Sequence, residues 1–566
     1  MGLKRQGFAM RNSKLYAVGA SIVVLAMLAS VAQAQAIKDG YSDFEGGPLL
    51  VAPNDPSDRT PNGGFGAPTA PAGGTPQLGF QGISQYDVAS VHRNFIPPDT
   101  MGAIGKTQFV ETVNGGFAVF DKATGARTSF TSDVAFWNKA GQTGTNGDPR
   151  ILYNAQANRW IALSFGASLS DIQIAVSDTS DALGGWKSTK FIGFAHGTAD
   201  FPTLAMDNNA VYIGTNNFSN NPAGCGQGAV SYCGTTLNVI PIKSLFDPAG
   251  PTPTGNVQFV EPFSQGVNAS AGFAIQGVNS NAAGTTGKIL TVSALTSSLT
   301  RYDVLNAGTY AASLTDAVTG IGTDYKFNGA GRQPYTTGVG NPRVIDTGDD
   351  RVGSSVWEAN GRIYSVHTIT ELGTDYTSVR YTVLDSVTNA VLDQGNIGDG
   401  SHDYSYGSLA VNASGQVVIA FNRSGSGADG KISLLARTFN TDGNGHLVQT
   451  GNELLLKVSD TDSYHNGSIF GQAAAGRQRW GDYSAVTLDP TNSQSFWIIG
   501  EYAREFNLPQ FGHPGGTGGS RWSTWIQQVT VAYVPEPGTW LMMIAGFGLV
   551  GASMRRRQAR VSVKFS

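Results

Sequence analysis

Five aspartates stand at comparable places along the chain. Asp99, Asp148, Asp200, Asp403 and Asp482 each lie where a turn runs into an apolar segment. Carboxylates gathered from such positions could hold a hard cation such as Ca2+ through oxygen ligands. Each could equally accept hydrogen bonds from turn amides, a common use of Asp. The stretch Asn440-Thr441-Asp442-Gly443-Asn444-Gly445 copies the first half of a calcium loop. Its twelfth position is Gly451 rather than an acid, and Glu453 lies two residues further on. A plain hairpin turn gives the same string. Gly425-Ser426-Gly427-Ala428-Asp429-Gly430-Lys431 matches a dinucleotide glycine pattern and nearly a P-loop. Both motifs need a following helix, and Ile432 to Phe439 reads as a strand, so phosphate binding is rejected. The seven His are scattered, with no His-Glu-x-x-His, no Gly-x-Ser-x-Gly and no cysteine nucleophile. Cys225 and Cys233, separated by seven residues of a turn-rich loop without a nearby His, are expected to form a disulfide.

The elements that must position these groups are strands. Charged residues are 14% of 566, and Gly at 74 is about twice its usual share. With 40% hydrophobic and 10% aromatic residues the chain can build a core, which excludes disorder, a coiled coil and a helical bundle. From about residue 80, short runs of Val, Ile, Tyr and Phe alternate with Gly, Asn and Asp, and no amphipathic helix is expected between 80 and 530. One unit recurs: turn, short strand, polar turn, second strand. Copies start at Pro97, Asp148, Phe201, Phe273, Val352, Tyr406 and Asp482, 50 to 80 residues apart. Each copy is followed by enough further strand pattern for a four-stranded sheet. The expectation is therefore an all-β fold, a single β-propeller of about seven blades, with a tandem of β-sandwiches as the rival. The domains read as a Pro/Gly-rich linker over 35–79 and a propeller over 80–533.

Pro97-Pro98-Asp99-Thr100 with Val113-Asn114, Gly147-Asp148-Pro149 with Arg159-Trp160, and Arg479-Trp480-Gly481-Asp482-Tyr483-Ser484 with Asp489-Pro490 are spread over about 400 residues. In these stretches the body resembles a family of secreted bacterial propeller-like proteins known by pattern rather than by activity. The resemblance implies fold and export. Thr179-Ser180-Asp181-Ala182-Leu183-Gly184-Gly185-Trp186 partly resembles the Asp-box of sialidase propellers, with one residue too many and no Thr before Trp. A sialidase-type site would need an Arg cluster, for which Arg150, Arg343 and Arg479 are candidates. It would also need a nucleophile pair, Tyr483 and Glu501, and an acid, Asp99. Two carboxyls would have to flank a glycosidic bond. These arginines could instead pair with the neighbouring aspartates.

The two ends read as addresses. Lys4, Arg5, Arg11 and Lys14 precede an apolar run from Tyr16 to Leu28 and the small-x-small site Ala32-Gln33-Ala34, so 1–34 is expected to be a signal peptide cut by signal peptidase. At the other end, Pro535-Glu536-Pro537 is followed by an apolar stretch, expected to be a transmembrane helix over 538–554, and by Arg555, Arg556 and Arg557. Residues 534–566, with this order of parts at 534–557, resemble the PEP-CTERM sorting signal of Gram-negative bacteria that make extracellular polysaccharide. The resemblance implies an exosortase as partner, transient anchoring in the inner membrane, and then the cell surface or the exterior. Without both ends the body holds 28 basic and 40 acidic residues, a net charge of −12, which argues against a nucleic-acid partner. The functional expectation is an exported, non-catalytic binding module for carbohydrate or for a surface protein. The alternative is a glycoside hydrolase or lyase acting on extracellular polysaccharide.

Overall fold

The computed structural model describes residues 73–532 except 93–94, 146, 220–231, 253–255, 261–272, 294–297, 323–324, 327–329, 335–342, 349, 463, 466–475 and 507–519, together with 537–558 and 566. The expected signal peptide, Cys225, Pro535 and Glu536 lie outside them. The described chain is mostly β. Its strands follow one another as antiparallel meanders of about four, because short runs of β-branched and aromatic residues are cut by turns that leave no room for helices.

The first meander runs from Met101–Ile104 through Gln108–Val113 and Gly116–Asp121 to Arg127–Thr131. The second starts at Arg150–Asn154 and ends at Trp186–Ile192. The third begins with two short pieces, Thr198–Asp200 and Ala205–Met206, both paired to Ala210–Phe218. The fourth begins at Phe273–Ser280, the fifth at Val356–Ala359, the sixth at Asp403–Val411 and the seventh at Ala485–Leu488. The recurring units of the sequence thus sit at or just before the first strands. The fourth and fifth are not separate sheets: Val278–Ser280 runs parallel to Val356–Glu358 and merges them into one sheet of nine strands. No sheet closes on itself among the described residues.

Inner and outer strands differ as burial requires. Arg159–Phe165, second in its meander, is buried at all but its first residue. Trp186–Ile192, the outermost, alternates between covered and open positions. Most of the apolar clusters lie between sheets, and one lies between the two halves of the nine-stranded sheet through Val278, Leu290, Val356 and Ile363. One joins the second and third meanders through Leu163, Ile174, Val211 and Ile213. Another joins the fifth and sixth through Val366, Val383, Leu409 and Ile419. A third joins the sixth and seventh, and the largest joins the seventh, first and second through Phe109, Trp160, Trp497 and Ile499. Each sheet therefore covers the apolar face of the next, a propeller-like arrangement. Fully burying one such side chain contributes about 1.5–3 kcal/mol.

The seventh sheet is completed by the other end of the body. Gly74–Ser84 pairs antiparallel with Ser520–Val531, from Gly74 opposite Val531 to Ser84 opposite Ser523. This strand begins inside the stretch expected to be linker. Short helices also correct the expectation of none between 80 and 530: α1 (Gln85–Val91), α2 (Asp133–Lys139) and α3 (Ile242–Leu245). The first starts at a capping box, with Ser84 accepting from Asp87 N–H and Asp87 accepting from Ser84 N–H. At seven residues or fewer, none is long enough to display a helical period.

The C-terminal apolar stretch is a helix, α4 (Pro537–Gln558). The expected transmembrane span over 538–554 is corrected: no helix among the described residues is long and apolar enough to cross a membrane. Gly546, Gly548 and Gly551 dilute its apolar part, and arginine begins at position 555. Ile544, Phe547, Leu549 and Met554 are exposed, and a Cβ at any of the three glycines would meet nothing.

Candidate functional site: the carboxyl cluster at the first strands

Five meanders carry a residue in the left-handed region just before or within their first strand. Asp99 has φ 51°, Asp148 50°, Phe201 51°, Ala274 53° and Tyr406 52°, and none is glycine. That conformation costs an L-residue roughly 1–2 kcal/mol. It recurs because the same sharp entry is made from meander to meander, and it brings together side chains that a straight entry would leave apart.

Asp99, Asp148 and Asp200 each lie close enough to Asp482 to feel its charge. Asn114 ties the first two loops. Its amide donates to Asp99 Oδ2 at 2.7 Å and to Pro97 O at 3.0 Å, and its carbonyl accepts from Asp148 N–H at 2.8 Å. Asp99 is 2% exposed and Asp148 8%. Burial, then the Asp482 and Asp148 carboxylates, hold Asp99 well above the usual carboxyl range. Asp148 is pushed up to about 6 by burial and by the Asp482 carboxylate. Half-buried Asp200 is raised to about 8 by burial and by Asp148, against the pull of Arg351.

Cations and rings enclose the acids. The buried Arg150 donates Nε to Pro202 O at 2.8 Å and Nη1 to Gly353 O at 3.1 Å, so it fastens the second meander to the third and to the entry of the fifth. Its guanidinium lies 3.4 Å from the Tyr483 ring centroid and 5.2 Å from that of Phe201. Burial lowers its pKa. Tyr483 gives its hydroxyl to Asp148 Oδ2 at 3.2 Å. Burial and then Asp148 hold that phenol well above its ordinary pKa. Arg479 reaches Asp482 at 3.0 Å and Asp346 at 3.3 Å. Burial works against its charge, but these two acids outweigh it and raise its pKa.

Two expected members stand elsewhere. Asp403 is held by Arg332 Nη1 at 3.0 and 3.1 Å, by Arg332 N–H at 2.7 Å and by Thr377 N–H at 3.0 Å. Glu501 is 1% exposed, and burial pushes it up to about 8 beside Thr100. Its carboxylate rests on Gly481, where a Cβ would push the Glu501 carboxylate aside. The expected Tyr483–Glu501 nucleophile pair does not form, because the Tyr483 hydroxyl turns to Asp148. Arg343 lies in a short strand, Arg343–Ile345, parallel to Gly476–Gln478, and its side chain is outside the description.

Among the described residues no group of three or more His, Cys, Asp or Glu is placed to hold a metal ion. Of the acids expected to hold Ca2+, Asp403 and Asp482 are tied to arginines. The calcium-like string is a hairpin turn in which Asp442 accepts from Asn444 and His446 N–H groups. The Asp-box-like stretch is likewise a turn, with Asp181 accepting from Leu183 N–H and Trp186 Nε1 bonded to Ala182 O. Cys233 is in a disulfide. Asn114, Arg332, Asp346 and Arg351 escaped sequence reasoning. Only Asn114 carried a signal, its place straight after a strand that follows Pro-Pro-Asp-Thr.

Residues 534–557 match the PEP-CTERM protein-sorting motif. The motif marks an exported protein that passes a membrane and is processed by an exosortase. No curated protein matches this chain. Similar solved structures include a Dos1 propeller, with 9% identity, 80% of this chain and 94% of that chain covered, and TM-score 0.37. A protein of unknown function from Dyadobacter fermentans has 10% identity, with 78% and 97% covered and TM-score 0.35. An exo-1,5-α-L-arabinanase from a bovine ruminal metagenomic library has 10% identity, with 63% and 97% covered and TM-score 0.30. Likenesses this distant do not bear on what the chain does.

Proposed function

We propose that the body is a single seven-bladed propeller, delivered by its sorting motif to the cell surface or the exterior. There it acts as a non-catalytic binding module for carbohydrate or protein. The succession of four-stranded meanders, the shared cores and the pairing of Gly74–Ser84 with Ser520–Val531 support the propeller reading. One observation carries the non-catalytic reading: the reactive side chains of the cluster are engaged with one another. A nucleophilic tyrosine needs a lowered pKa and an open hydroxyl. Tyr483 has its pKa raised, lies beneath Arg150 and gives its hydroxyl to Asp148.

The second reading, a glycoside hydrolase or lyase, is supported by the Asp99–Asp148 pair among Arg150, Arg351 and Arg479. A glycan array run beside a hydrolysis screen on the host's own exopolysaccharide separates the two. Retention on glycans or on a surface protein without product release is the expected result. Turnover that disappears in Asp148→Asn would establish the enzyme instead.

A further inference from the structure

A cavity of about 280 Å³ lies between the second and third meanders. It sits at the opposite end of the sheets from the carboxyl cluster. Arg150 starts the first strand of its meander, whereas Arg159, which lines the cavity, pairs with Asn154 at that strand's far end. One wall comes from the second meander and presents Arg159, Asp178 and Lys187. The other is the end of α3 and the turn after it, with Leu245, Phe246 and Asp247. Lys187 Nζ donates to Pro248 O at 2.6 Å and fastens the walls together.

The lining has two properties. Leu245 is buried, and half-buried Phe246 packs on the same core, so the floor is apolar and held in place. The polar groups are balanced, two cations against two carboxylates. Arg159 uses Nη1 on Ser177 O at 2.9 Å, which fixes the guanidinium and leaves its other donors for a ligand. Asp247 accepts from Ala249 N–H through Oδ1 at 2.8 Å, and Oδ2 remains as an acceptor. A ligand of either net charge would meet like charge on one wall. A neutral molecule with hydroxyls on its edge and C–H groups on its face uses donors, acceptors and the apolar floor together.

Resting on the reading of the chain as a carbohydrate-binding module, we propose that this cavity is a binding site for one uncharged sugar unit of a polysaccharide. Its hydroxyls would bond Arg159 and Asp247, and its C–H face would cover Phe246. The test is affinity electrophoresis of the full chain in dextran, a neutral glucan, and in alginate, a polyuronate. It is repeated with Arg159→Ala and with Asp247→Asn, an isosteric change at an exposed side chain that leaves the fold intact, as thermal melting checks. Retardation in dextran that each variant weakens about tenfold is expected. Retardation in dextran that neither variant changes overturns the site and leaves the carbohydrate module standing. Retardation in alginate alone overturns the neutral ligand. No retardation in either polymer overturns this site together with the carbohydrate reading.

Discussion

At the scale of single residues, the cluster at the first strands is organised by protons as much as by ion pairs. A carboxyl raised in the folded state keeps its proton after the unfolded chain has lost it. Its contribution to stability is fully present below the unfolded pKa of about 4 and is lost as pH rises through the folded pKa. With Asp148 near 6, and Asp200 and Glu501 near 8, the melting temperature is expected to fall steadily between pH 5 and pH 8.5. Calorimetry across that range checks it, and a flat profile would contradict the raised carboxyls. Glu501→Gln keeps the shape against Gly481 and removes the ionisation. It is expected to flatten the fall and to stabilise the protein at pH 8 by on the order of 1–3 kcal/mol. Arg150→Met should act in the opposite direction. It strips two carbonyls on other meanders of their donor and uncovers Tyr483, at a cost of about 3–5 kcal/mol by urea denaturation.

At the scale of elements, the strand Gly74–Ser84 forms the outer edge of the seventh sheet and covers Ser520–Val531. Along it Glu111 accepts from Ile83 N–H at 2.9 Å and from Thr524 Oγ1, so the first meander also grips the closure. A chain starting at residue 85 would leave one edge of Ser520–Val531 open while the other stays on Ser495–Phe506, and an open edge of that length invites association with other chains. Such a chain is expected to be oligomeric or aggregated by light scattering, while one starting at residue 73 stays monodisperse. Monodispersity in both would show that the strand is dispensable. Sequence reading placed residues 74–79 in the linker because Gly74, Pro76 and Gly79 break the apolar alternation. The strand is specified by its partner rather than by itself, and only a partner some 440 residues away reveals it.

At the scale of the whole molecule, the body and the sorting segment are separable. The apolar side chains of α4 from Met543 onward are exposed, and its three glycines meet nothing within 4 Å. Removal of residues 533–566 is therefore expected to leave the melting temperature within about 1 °C and the protein more soluble. A drop of several degrees on differential scanning calorimetry would mean that the segment packs on the body. Excess acid in the body favours solubility once the basic ends are gone.

The sequence alone determined what depends on near neighbours. Alternating apolar runs and turn residues made the strands legible, recurrence made the meanders legible, and Pro-Glu-Pro with the arginine run made the sorting segment legible, because each of these signals fits within a few dozen residues. It also marked Asp99, Asp148, Asp200 and Asp482 as a set, since they recur at one place in the unit. Asp403 bears the same local pattern yet stands with Arg332, 71 residues away in sequence. The partnership of each acid was decided by tertiary structure alone. Tyr483 reaches Asp148 across 335 residues, and Lys122 meets Asp489 across 367. Such pairs carry no mutual spacing in the chain, because what sets their distance is the way successive sheets stack and the two ends of the body join. That same stacking buries residues of ordinary type and raises the pKa values of Asp148, Asp200 and Glu501.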